Sequence, residues 1–84
     1  MTATESEMLE RLQLIFRDVM DSDKLRITTG TTQFQVPQWD SMAQIALVMA
    51  IEQEFKVRFT AREASELLSV KAIMSLIEAK SKPQ

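Results

Sequence analysis

The 84-residue chain contains no cysteine, no histidine and no tyrosine, and a single tryptophan. Without cysteine it has no disulfide, no thiolate–metal site and no thiol nucleophile of its own. Without histidine it has no imidazole base, no imidazole metal ligand and no serine–histidine triad. The aromatic set is too small for a base-stacking surface. A net charge of −2 supplies no basic face for a phosphate backbone, which excludes nucleic acid as the main partner. Helix breakers are scarce too, with Gly 1 and Pro 2, so the chain reads as mostly helical. Long hydrophobic runs are missing. The longest, Ile45 to Ile51, falls well short of the roughly 20 residues that cross a bilayer. Met1 to Glu7 is polar and acidic, with neither the basic nor the apolar segment of a targeting signal, so the expected location is the cytoplasm. These absences point away from stand-alone catalysis and from a metal site, and toward a small protein that works through something bound to it.

What is present is ordinary for a globular chain: 45% hydrophobic and 26% charged residues. We read one domain over 1–84, with 1–4 and 81–84 frayed, and a thin core burying about 60–65% of the unfolded surface. Three Ser/Thr-x-x-Glu/Gln patterns mark helix starts: Thr4 with Glu7, Ser41 with Gln44, and Thr60 with Glu63. The first helix is predicted over Glu5 to Met20, where Met8, Leu12, Ile15, Phe16 and Val19 form one apolar stripe. Asp21-Ser22-Asp23 breaks it. Leu25 to Asp40, with Gly30, four threonines and Pro37, reads as a long loop pinned by Leu25, Ile27, Phe34 and Val36. The second helix is predicted over Ser41 to Phe55, burying Ile45, Val48, Ile51 and Phe55 with Leu47 beside them. Met42, Ala46, Met49 and Gln53 lie on an offset face. Lys56 to Phe59 is an extended link with Val57 and Phe59 inward. A short helix follows from Ala61 to about Leu68. The last is opened by Ser69 and carries Val70, Ile73, Met74 and Ile77 inward, with Lys80 and Lys82 complementing its C-terminal dipole. The predicted architecture is an all-α antiparallel bundle of three longer helices and one short helix with a long first loop. We read it as a monomer.

Trp39-Asp40-Ser41-Met42 resembles the Asp-Ser-Leu signature of acyl carrier proteins, whose serine bears 4′-phosphopantetheine. The similarity continues through Ile45-Ala46-Leu47-Val48-Met49-Ala50-Ile51-Glu52-Gln53-Glu54-Phe55, which is similar in type to the family's second helix. It extends to Ser69-Val70-Lys71-Ala72-Ile73 at the opening of the fourth, and covers about Glu5 to Lys80. The resemblance implies a non-catalytic carrier holding acyl groups as thioesters on a 4′-phosphopantetheine arm at Ser41, donated from coenzyme A. The arm would supply the thiol that the chain lacks. The implied partners are a phosphopantetheinyl transferase and the acyl-loading, acyl-transferring or condensing enzymes of fatty-acid, polyketide or related lipid synthesis. An aminoacyl or peptidyl carrier, or an unmodified helical adaptor, are the alternative readings.

A serine opening a helix presents its hydroxyl in a fixed pose, beside free N–H groups and a positive dipole end that favour a phosphodiester. The hydroxyl could equally be a plain N-cap, although Asp40 is as good a cap and would leave Ser41 free. Trp39 reads as a packing anchor holding the loop. The docking face expected around the site is Asp40, Met42, Ala46, Met49 and Glu52. This sequence departs from fatty-acid-synthesis carriers in having Ala43 and Ala46 where acids are usual. Lys56 stands where a glycine usually closes the second helix, leaving the geometry of that turn open. These departures imply docking by methionine and alanine contact more than by charge.

Overall fold

The computed structural model describes residues 3–81. The expected fraying at 1–2 and 82–84 and the contribution of Lys82 lie outside the described residues, whereas residues 3, 4 and 81 are helical, so the backbone of Thr4 falls inside the first helix and does not open it. Four helices are seen: α1 (Ala3–Val19), α2 (Ser41–Phe55), α3 (Ala61–Ser65) and α4 (Val70–Ser81), with no strand among the described residues. Contacts set their directions. Arg11, midway along α1, meets Glu54, late in α2, whereas Phe16, near the end of α1, meets Trp39 just before α2. The two helices therefore run antiparallel. Ile77 at the end of α4 shares a groove with Glu7 and Met8 at the start of α1, which sets α4 antiparallel to α1 as well.

The core is one cluster built from every helical layer: Leu12 and Phe16 of α1, Leu47 and Ile51 of α2, Leu67 after α3, and Val70, Ile73 and Ile77 of α4. These are the apolar periods of α1 and α4 expected from sequence. In α2 the buried stripe is rotated. Leu47 and Ile51 are fully buried, Val48 and Phe55 only partly so, and Ile45 is 60% exposed. This helix is apolar nearly all round, so period alone cannot say which stripe faces inward. The tertiary packing of α1 decides it.

The long loop is tied down by polar bonds as much as by apolar ones. Ile27 and Val36 are buried and Leu25 half-buried, as expected. Phe34 is instead 94% exposed, on a short 3₁₀ turn at Gln33–Gln35. The turn projects it outward while its neighbours are pinned. Gln33 N–H donates to Leu68 O and Val70 N–H to Thr31 O, both at 2.9 Å, forming a lone antiparallel bridge between Thr32 and Ser69. Arg17 Nε donates to Leu25 O at 2.7 Å, and Ile27 N–H donates to Gln13 Oε1 at 3.1 Å.

Both long helices that precede loops end without glycine. Asp21 and Lys56 take left-handed φ values of 53° and 56°. α3 opens as expected on the Thr60–Glu63 capping box but closes at Ser65, short of Leu68. α4 is capped by Ser69, whose Oγ accepts from Ala72 N–H at 3.1 Å.

Candidate functional site

The site is the start of α2, and its position follows from the residues just before it. Trp39 is buried against Phe16 with ring centroids 5.0 Å apart, edge to face. Its indole N–H donates to Gln44 Oε1 at 2.6 Å, so both ends of the ring are fixed. Asp40 follows in extended backbone and is the N-cap: its Oδ1 accepts from Ala43 N–H at 2.8 Å. Ser41 is thus the first helical residue, exposed, with its Oγ outside the cap. The predicted Ser41–Gln44 capping box does not form. The Gln44 N–H that the serine would have used donates to Asp40 O at 2.8 Å, the Asp40 carboxylate caps the Ala43 N–H, and the Gln44 amide points the other way, toward α3.

The side chains around this hydroxyl are apolar or neutral. Met42 is 77% exposed and Met49 55%, and Ile45 and Ala46 are exposed between them. Ser41, Ile45 and Met49 follow at i, i+4 and i+8, on one outward face. From Ile27 to Ile51 the one charged residue is Asp40, and the first turn of α2 contains no acid. The Asp40 carboxylate at the N-cap is therefore the one side-chain charge that meets the positive end of the helix beside Ser41.

The structure brings Asp40, Met42, Ala46 and Met49 to the surface around Ser41, and adds Ile45, which the sequence reading placed inward. Glu52 belongs elsewhere. It is half-buried, and its Oε2 accepts from Phe59 N–H at 2.8 Å, so this acid holds the α2–α3 link. Gln44 is the residue that pattern reading misassigned. A long amide set among the apolar residues of the first half of α2, one turn past Ser41, was the available signal.

Among the described residues no group of histidine, cysteine or carboxylate side chains could hold a metal, and no helix is long and apolar enough to cross a membrane. The Glu63 carboxyl is held below the ordinary carboxylate range by the Thr60 N–H and then by Lys80. It lies in the α3 cap. The start of α2 offers an exposed hydroxyl, and the carboxylate beside it is engaged as the helix cap.

No family model matches the chain. It is similar to the acyl carrier protein of Thermosynechococcus vestitus, at 29% identity over 76 residues, covering 90% of this chain and 94% of the relative. Its fold is similar to the solution structure of the holo acyl carrier protein from Geobacter metallireducens. There the TM-score is 0.77 and the identity 30%, covering 86% of this chain and 83% of that one. A four-helix chain with an Asp-Ser-Met start to its second helix, alike in sequence and fold to such proteins along nearly its whole length, belongs to the acyl carrier protein family.

Proposed function

We propose that this protein is a discrete, non-catalytic acyl carrier, modified on Ser41 with 4′-phosphopantetheine from coenzyme A. The observation that carries it is the division of labour at the start of α2: Asp40 closes the helix and Ser41 Oγ stays exposed. A hydroxyl that capped its own helix would have to leave that bond to react. This one is available with no local unfolding, held on a rigid turn by Trp39 beneath it.

The chain fits the group. The free N–H groups at the start of α2 and its dipole favour a phosphodiester at Ser41. Activating the hydroxyl, with the metal and the donor, falls to the transferase. When attached, the arm supplies a thiol on which acyl groups are carried as thioesters. The chain's own residues orient the attachment point and present Met42, Ile45, Ala46 and Met49 to whatever enzyme acts on the arm. The partners are accordingly a phosphopantetheinyl transferase and acyl-loading, acyl-transferring or condensing enzymes. The pathway is fatty-acid, polyketide or related lipid synthesis, and the compartment the cytoplasm, with the carrier acting as a monomer.

Intact-mass measurement after exposure to coenzyme A and a broad-specificity transferase tests the reading. The wild type gains one phosphopantetheine and Ser41→Ala gains none, while Ser41→Ala melts like the wild type because Asp40 provides the cap. Modification of Ser41→Ala, or none of the wild type, would overturn the assignment.

A further inference from the structure

Among the described residues, two side chains of helix α2 hydrogen-bond to the segment after it. At the far end Glu52 takes the Phe59 N–H. At the Ser41 end the Gln44 amide spans the seam. Its Nε2 donates to Ala64 O at 2.8 Å and to Leu67 O at 3.1 Å, and its Oε1 accepts from Trp39 Nε1 at 2.6 Å. The orientation is dictated by chemistry: an indole N–H only donates and carbonyls only accept, so a flipped amide would lose all three bonds. Leu67, whose carbonyl is held, and Leu47, one turn further along α2, are both core residues. Gln44 therefore ties the first turns of α2, which begins at the attachment hydroxyl, to the carbonyl of a core residue.

We propose that Gln44 latches the α2–α3 seam, so that an apolar chain tethered at Ser41 stays outside the core, along Ile45 and Met49. The biological meaning rests on the carrier reading of Ser41. The physics does not. A chain entering beside Gln44 must part the amide from an indole N–H and two carbonyls, and hydrocarbon offers no replacement donor or acceptor. The outer face requires no broken bond and already exposes apolar area in line with Ser41.

The absence of cysteine makes a direct test possible. Ser41→Cys introduces one thiol, which octyl methanethiosulfonate converts to an octyl disulfide with methanesulfinate leaving, so the tether needs no transferase. Methyl NMR spectra are recorded before and after labelling, with Gln44 intact and in the Gln44→Ala and Gln44→Thr backgrounds. With Gln44 intact, the methyls of Met42, Ile45 and Met49 shift, whereas those of Leu47, Leu67 and Ile73 stay in place. In whichever Gln44 variant folds, the core methyls shift as well. Core methyls that move with Gln44 intact overturn the latch, whether or not either variant folds. So do core methyls that stay unmoved in a folded Gln44 variant. Failure of the carrier reading shows separately, as a wild type that the transferase leaves unmodified.

Discussion

Lys56 ends α2 with φ 56° and ψ 47°, a left-handed conformation in a residue that carries a Cβ. The turn is nonetheless complete, with the N–H groups of Lys56 and Val57 both reaching Glu52 O. The lysine thus bears a steric cost of about 1 kcal/mol that glycine avoids, offset partly by glycine's freer unfolded state. Lys56→Gly is expected to stabilise the protein by up to about 1 kcal/mol, read as a higher urea midpoint with unchanged slope. An unchanged or lowered midpoint would mean that the lysine makes compensating contacts. The same scale explains the N-terminal end of α2. Asp40 and Ser41 are both capping residues, and the sequence cannot rank them. The folded backbone ranks them by placing the Asp40 carboxylate 2.8 Å from Ala43 N–H.

Among the elements, α3 is the most lightly held. It has five residues, none of them buried, and is secured by its capping box, by Gln44 and by a 2.9 Å ion pair between Glu63 and Lys80. The depressed Glu63 carboxyl means that the folded state binds its proton less readily than the unfolded one. Its stabilising effect is therefore complete above the ordinary carboxylate range and is lost as the pH falls through the depressed folded value. Glu63→Gln, which keeps the box geometry without the charge, should melt lower than wild type at neutral pH. The gap should close in acid. A gap independent of pH would assign the effect to geometry instead. The longer helices differ in how they use their phenylalanines. Phe16 is fully buried against Trp39, whereas Phe55 is half-buried, with the Arg11 guanidinium 4.6 Å from its ring centroid. Phe16→Ala should cost about 3–5 kcal/mol, most of the stability of so small a domain. Phe55→Ala should cost distinctly less, and circular dichroism melts of the two variants rank them.

For the whole molecule, the distribution of charge matters more than its total. The loop and the outer face of α2 hold a single charge between Ile27 and Ile51, on Asp40, so a partner meeting Ser41 meets a nearly neutral, methionine-rich surface. Complementary charge acts mainly on association rate and is screened by salt. Association through this face should therefore depend weakly on ionic strength. Ala43 is half-buried against the core, which leaves exposed Ala46 as the place to restore an acid. Ala46→Glu is expected to raise the activity of the holo carrier with an enzyme that uses an acidic carrier, at low salt only, by at most about the 0–1 kcal/mol of one exposed pair. An equal gain at high salt would mean that the new side chain acts by contact, not charge.

The sequence by itself determined the helical class, the period of α1 and α4, the caps at Thr60 and Ser69, and the Asp-Ser-Met turn. Each is a local property, set by capping groups, by breakers or by a single clear apolar stripe. Tertiary structure alone decided the phase of α2, because a helix apolar on most sides is turned by what packs against it; Leu47 and Ile51 went inward and Ile45 outward. It decided that Phe34 stands in solvent, since bonds to Leu68 and Val70 from residues far off in sequence hold its neighbours down. It also turned Gln44 from a capping residue into a tie across to α3, because its partners, Ala64 and Leu67, lie 20 and 23 residues further along the chain. Hydrogen-bond partners that remote leave no mark in local spacing.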